Sequence, residues 1–366
     1  MKSLTTIADF LRARFPIEKM NLQSMLMKKE VPIHKMSWAY YLGGLTLLFF
    51  TIQVITGLLL LFYYQPTVNE AYDSVKFISD KVPGGAVIRN LHAWTSSAMI
   101  LTAILHLLTT FAMKAFEKPR EVTWGTGVLL LFITYTFGFT GYLLPWHQLS
   151  VNATKVGLQF IGAVGQYLPG SLSELPNKLI EIIQGGPSIG QETLSRFYAI
   201  HVVILPLAIF AILGAHLLSV QLHGMSKGVD EKPKIKEPFF PNFLIKDFSL
   251  WAIAFLILFI LAITIPFESF FSFPLVEPYN ALGSTPEGIK PEWYFYFIYY
   301  PMELLPFWVI IIIMILLVLG LFLVPKIFSG TSRKTLTFIA IIAFIYFVTM
   351  TVFGQQIFEL IKGGHS

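Results

Sequence analysis

Seven apolar stretches, near residues 38–63, 91–113, 123–145, 197–222, 248–266, 302–324 and 334–355, constrain this chain more than any other feature. Each is long enough to cross about 30 Å of hydrocarbon at a helical rise of about 1.5 Å per residue. In hydrocarbon every backbone N–H and C=O must be paired inside the segment, so the runs are predicted to be helices. The expected fold is an all-α integral membrane protein with seven transmembrane helices. Composition agrees, because 55% of the 366 residues are hydrophobic and 13% charged, with a mean hydropathy of +0.68, and a soluble globule is excluded. The chain has no cysteine, which excludes disulfides, cysteine-ligated iron–sulfur clusters and thioether-linked haem. Any metal must be held by His, Met, Tyr or carboxylate.

Seven crossings put the two termini on opposite sides, and the Lys/Arg distribution sets the orientation. The N-terminal segment with the loops at 114–122, 223–247 and 325–334 carries 18 of them, and the other side carries 8. The N-terminus is therefore expected on the cytoplasmic side and the C-terminus outside. Residues 1–37 lack the apolar core and cleavage site of a signal peptide and read as an amphipathic segment on the membrane surface. The Pro- and Lys-rich stretch GMSKGVDEKPKIKEPFFPN suggests a boundary near residue 226. It divides a four-helix domain, 38–225, from a three-helix region, 226–366. Cytoplasmic lysines account for the net charge of +5, so the expected partner is the lipid bilayer and not nucleic acid.

Four of the eight histidines lie inside predicted crossings. His92 and His106 are 14 residues apart on the second, and His201 and His216 are 15 apart on the fourth. A 14-residue helical step covers roughly 21 Å with about 40° of rotation, so both histidines of a helix face one neighbour. The second and fourth crossings run parallel, which sets His92 level with His201 and His106 level with His216. A single intramembrane histidine can be a packing residue or a proton relay. Four in this register fit two stacked bis-histidine haems, both non-covalent haem b. Gly43 and Gly57, and Gly127 and Gly141, repeat the spacing of 14 on the first and third crossings. They either make room for the macrocycles or serve helix packing through small residues. Arg89, three residues before His92, is a candidate propionate partner or an interfacial cation.

The quartet, together with QVITGLLLLFYYQP, RNLHAW, GFTGYLLPWHQLS and KPEWYFYF, resembles the cytochrome b family over nearly all of the chain from about residue 31. The resemblance implies the cytochrome b subunit of a quinol:cytochrome c-type oxidoreductase, with a low-potential haem on His92 and His201 and a higher-potential haem on His106 and His216. It implies ubiquinol or menaquinol as substrate, oxidised with bifurcation at an outer site and re-reduced at an inner one, with proton translocation. The implied partners are a Rieske iron–sulfur protein, a c-type cytochrome and a second copy of the complex. The expected location is a bacterial or archaeal plasma membrane. Seven crossings and the 15-residue gap resemble the plastid type joined to its usually separate subunit IV. Tyr41 stands where that type has a cysteine tethering an extra haem, and Thr109 stands where relatives often have arginine.

Glu292, in Pro291-Glu292-Trp293-Tyr294, can be read from its setting. A carboxylate in an apolar pocket at the membrane edge has its charged form disfavoured, which brings its pKa towards neutrality and suits it to accept a quinol proton. Pro291 stiffens the approach, and Trp293 and Tyr294 suit an interface. Tyr142 and His147 are further candidates for the proton, and His147 can equally be a simple interfacial residue. His223 and Lys227, after the fourth crossing, are candidates for proton uptake at the inner site. Two rivals stand beside this reading: a di-haem anchor of a quinone-linked dehydrogenase or hydrogenase, and a haem-free transporter.

Overall fold

The computed structural model describes residues 29–227, 235–270, 276–283 and 285–363. Most of the expected surface segment 1–37 lies outside them. A short strand β1 (Glu30–Ile33) precedes the helices α1 (Tyr40–Leu61), α2 (Ala71–Lys81), α3 (Gly85–Ala112), α4 (Glu121–Leu143), α5 (Gln148–Ala163), α6 (Leu175–Gln184) and α7 (Gln191–His223). Strand β2 (Ile235–Pro238) is followed by α8 (Leu244–Thr264), α9 (Tyr296–Leu304), α10 (Phe307–Ile327) and α11 (Arg333–Gly363). Among the described residues seven helices, α1, α3, α4, α7, α8, α10 and α11, are long and apolar enough to cross a bilayer.

The four short helices fill the connections at one end of the bundle, the end where the loops hold few lysines. The other end, rich in Lys and Arg, is the basic end below. At the basic end β1 and β2 pair antiparallel with Glu30 opposite Pro238, and Lys236 Nζ lies 2.7 Å from Glu30 Oε2. Helix α6 stops where Gly185 takes φ +83°, a left-handed cap in which its N–H donates to Glu181 O at 2.8 Å.

A core of Phe49, Phe50, Ile52, Leu91, Met99, Ile209, Leu258 and Ala262 joins α1, α3, α7 and α8. A second, around Phe111, Trp124, Val128, Val324, Leu336 and Ala340, joins α3 and α4 to α10 and α11. The last three crossings thus pack on the first four. Indole and amide donors tie them to backbone ends: Trp124 Nε1 donates to Leu321 O at 2.7 Å and Asn90 Nδ2 to Ala262 O at 3.1 Å. The outer faces of α8, α10 and α11 are large apolar side chains, as a lipid-facing surface requires.

Helix α7 is not uniform. Residues Ile200–Ile204 form one turn of π-helix between α-helical Gln191–Ala199 and Leu205–His223. Pro206 has no N–H for the carbonyl four residues earlier, so the ladder is already broken there and a wider turn can form. A π-turn inserts one residue without advancing the register. The 15 residues between His201 and His216 therefore match the 14 between His92 and His106.

Candidate functional site: two histidine pairs and a buried glutamate

Helices α3 and α7 carry the four histidines, and α1 and α4 carry the glycines that meet them. A Cβ placed on Gly57 would lie 3.5 Å from the His92 ring, and on Gly43 3.1 Å from that of His106. On Gly141 it would lie 2.6 Å from the His201 ring, and on Gly127 3.2 Å from that of His216. The atoms that these glycines approach are imidazole atoms of the neighbouring helix. A backbone without Cβ lets the ring lie against it.

His92 sits within electrostatic range of His201, and His106 within range of His216, which defines two pairs at two depths. Each ring is also held from behind. Thr56 Oγ1 lies 2.8 Å from His92 Nδ1, Thr140 Oγ1 3.1 Å from His201 Nδ1, and Thr126 Oγ1 3.0 Å from His216 Nδ1. His106 Nδ1 is buried and has no hydrogen-bond partner among the described residues. The threonines engage Nδ1 of His92, His201 and His216, and Nε2 is the nitrogen an iron would need; His201 and His216 also have a backbone hydrogen bond, to Phe137 and to Thr123. The donor set at each depth is two imidazoles, and no group of three His, Cys, Asp or Glu converges among the described residues. The residues present fit two bis-histidine haems. None of the three threonines was singled out from sequence, although Thr precedes three of the four glycines.

Near the His92–His201 end, two loops are joined. Gln148 N donates to Glu277 O at 2.9 Å, Tyr279 N to Trp146 O at 3.3 Å, and His147 forms a bridge with Pro278. Lys155 Nζ donates to Tyr279 Oη at 2.6 Å. His147 itself is the N-cap of α5: its Nδ1 accepts from Ser150 N at 3.0 Å, while Ser150 Oγ accepts from His147 N at 3.0 Å. Burial holds the His147 imidazole well below its ordinary range, at about 4, with Arg89 adding to the effect. It is neutral at physiological pH, and its Nδ1 is engaged in the cap.

Glu292 lies at the entry of the short 3₁₀ turn Trp293–Phe295. Burial pushes its carboxyl up to about 7, against a hydrogen bond from the Trp293 backbone that opposes the shift. Tyr142, at the end of α4, is within electrostatic range of Glu292. Trp293 Nε1 donates to Ser97 Oγ at 3.4 Å. Tyr294 is buried, with Tyr135 Oη donating to its carbonyl at 3.4 Å and its own hydroxyl against Gly138. That packing anchors the segment to α4. Pro291 precedes the turn with its ring half-buried. Arg89 forms an ion pair with Glu268 and donates to Ser79 Oγ at 2.8 Å, so its described partners are protein groups.

At the basic end, Arg120 Nη2 donates to the carbonyls of His223 at 3.1 Å and Met225 at 3.3 Å, and Tyr40 Oη lies 2.6 Å from His34 Nε2 and donates to Ser226 O. Thr109 Oγ1 turns back to Leu105 O at 2.8 Å. Tyr41 stacks on Phe243, centroids 4.9 Å apart and planes 8° apart.

Seven helices enclosing paired histidines at two depths define a membrane-embedded redox protein. The family model described as Cytochrome b/b6/petB matches residues 26–224, and that described as Cytochrome b(C-terminal)/b6/petD matches residues 279–362. The chain belongs to the cytochrome b/b6 family, whose members bind haem b. It is 46% identical over 275 residues to the cytochrome bc complex cytochrome b subunit of Chlorobaculum thiosulfatiphilum, a match spanning 74% of this chain and 61% of that protein's length. It is 41% identical over 212 residues to cytochrome b6 of Synechococcus elongatus, 57% of this chain and 94% of the relative. Among solved structures it is similar to a chain of the hyperthermophilic respiratory Complex III, with a TM-score of 0.79 at 28% identity, covering 95% of this chain and 91% of that one.

Proposed function

We propose that this chain is the cytochrome b subunit of a bc-type quinol:cytochrome c-type oxidoreductase, with quinol oxidised at the lysine-poor end and quinone reduced at the basic end. The observation that carries the reading is Glu292, a buried carboxyl poised near neutrality at the same end as His92 and His201. As the carboxylate it accepts a quinol proton at its side-chain oxygen, and the low dielectric around it keeps the proton bound until the group meets water. Tyr142 lines the approach, and Tyr294 and Trp293 hold the segment in place. His147, neutral and engaged at Nδ1, positions the loop instead of carrying the proton.

Two haems b, on His92 with His201 and on His106 with His216, supply one-electron carriers at two depths. One electron of each quinol then leaves to a Rieske iron–sulfur partner and onward to a c-type cytochrome, and the other crosses to the basic end, where His223 and Lys227 lie near the site of proton uptake. The excess of Lys and Arg at that end supports a cytoplasmic orientation for it, in what we take to be a bacterial or archaeal plasma membrane. The complex is taken to be a homodimer, with ubiquinol or menaquinol as substrate.

The test is quinol-driven reduction of the b-type α band in membranes, with and without removal of the Rieske partner. Dependence on that partner for full turnover supports bifurcation. Reduction and re-oxidation that proceed undiminished without it support the di-haem anchor of a quinone-linked dehydrogenase or hydrogenase.

A further inference from the structure

The three threonines behind the histidine rings share one geometry. In each the hydroxyl proton is committed to its own helix: Thr56 Oγ1 donates to Ile52 O at 2.6 Å, Thr126 Oγ1 to Val122 O at 2.9 Å and Thr140 Oγ1 to Thr136 O at 2.8 Å. A hydroxyl whose proton is spent can only accept from the imidazole, so Nδ1–H of His92, His216 and His201 is the donor. That fixes the tautomer and leaves the Nε2 lone pair for the metal. At the fourth place the residue before the glycine is Leu42, buried, and His106 Nδ1 has no acceptor among the described residues. His201 and His216 also have a backbone hydrogen bond, to Phe137 and Thr123. Both rings of the His92–His201 pair thus have an acceptor, and in the other pair only His216 does.

We propose that Thr56, Thr126 and Thr140 are positioning residues that set the difference in potential between the two haems, Leu42 being the site where the support is withheld. An acceptor at Nδ1 raises the basicity of the ligating nitrogen, which favours the oxidised iron over the reduced. The His92–His201 centre, with both rings so supported, is held at the lower potential. The His106–His216 centre, with only His216 supported, is held higher, and electrons run from the first to the second. The inference rests on the haem-ligand reading above and assigns the cause of the downhill step to three hydroxyls and one missing hydroxyl.

The experiment is a redox titration of the assembled complex, following the b-type α bands. Thr140→Val should shift only the His92–His201 haem upward, by about tenfold in the reduced-to-oxidised ratio at fixed potential, which is about 59 mV for one electron. Thr140→Ser, keeping the hydroxyl, should restore it. Thr126→Val should move only the other haem upward, and Leu42→Thr should lower that haem and narrow the gap. If Leu42→Thr does not assemble, Thr126→Val still reads the same centre. Unmoved potentials in both valine variants, or a serine variant shifted as far as valine, would overturn the proposal. A wild-type complex with no pair of b-type transitions would instead overturn the ligand assignment beneath it.

Discussion

In the first four crossings the residues that matter are small and polar, glycine and threonine set against histidine, whereas α10 carries Leu316 with 64% of its surface exposed and Gly320 with nothing within 4 Å of where a Cβ would stand. Both halves are strongly apolar by composition. They differ in what the helices face. In α1, α3, α4 and α7 the small residues converge on interior rings, while α8, α10 and α11 meet the others along one side and leave the rest apolar, as lipid demands. The last three spans are on the whole the more apolar, with mean hydropathies of 2.3, 3.3 and 2.4 against 2.2, 1.5, 1.5 and 2.4, but that difference does not say what either half faces. The positions of Gly, Thr and His separate them.

The strongest way to break that division is through the histidines. Replacing His92 or His201 with a non-ligating residue is expected to remove the lower-potential b-type signal, and replacing His106 or His216 the other. Visible spectra of reduced and oxidised membranes read the result. Both signals surviving all four changes would show that the interior of the four-helix half is ordinary packing.

The next effect belongs to the C-terminal half. Glu292→Gln keeps the shape and cannot take a proton, so quinol oxidation is expected to slow by roughly 10²–10⁴-fold with both haem spectra intact. Stopped-flow quinol oxidation measures it, and loss of the haem spectra would show Glu292 to be structural. A smaller effect follows from the same group. With its carboxyl near 7, only the deprotonated form accepts, so the outer reaction should fall about tenfold per pH unit below pH 7 and level off above it. A carboxylate at its ordinary value would give a flat profile between pH 6 and 8. Flatness in the wild-type protein would show that no group titrating near 7 limits the reaction, and together with undiminished turnover of Glu292→Gln it would remove Glu292 from it.

Much of the division was legible from residue spacing. Period and length located the seven crossings, because in hydrocarbon an apolar run of that length has few alternatives to a helix. The histidine register pointed to paired rings, yet on an unbroken helix the 15-residue gap on α7 would set His216 about 100° from where a 14-residue step puts it. The π-turn at Ile200–Ile204 absorbs the difference, and only the bare presence of Pro206 hinted at it. Nor did spacing show that His147 caps α5, since a cap depends on the turn made at Trp146, a non-glycine residue at φ +53°. Arg89 read as a propionate partner or an interfacial cation because its partner Glu268 lies far away in sequence. The Thr-Gly pairs were visible throughout, but a threonine in an apolar helix usually bonds its own backbone, and these do so as well.

The last and smallest contrast sets two glycines of the first half against one of the second. At Gly141 a Cβ would stand 2.6 Å from His201 Cε1 and 3.1 Å from its Nδ1. The ring cannot simply slide, since Nδ1 is held by Thr140, so Gly141→Ala should cost about 1–3 kcal/mol as an overpacked site and lower the haem-to-protein ratio. Gly57→Ala, with 3.5 Å to the His92 ring, has ordinary contact distance and should be tolerated. Gly320→Ala meets nothing, and because alanine loses less backbone freedom in a helix it should leave stability unchanged or raise it by up to about 1 kcal/mol. Thermal midpoints in detergent, with haem content measured on the same samples, compare the three. Equal losses for Gly141→Ala and Gly320→Ala would mean that small residues serve both halves alike and that the contact with His201 has no special weight. A loss confined to Gly141→Ala, accompanied by reduced haem, would tie that glycine to the ring it faces.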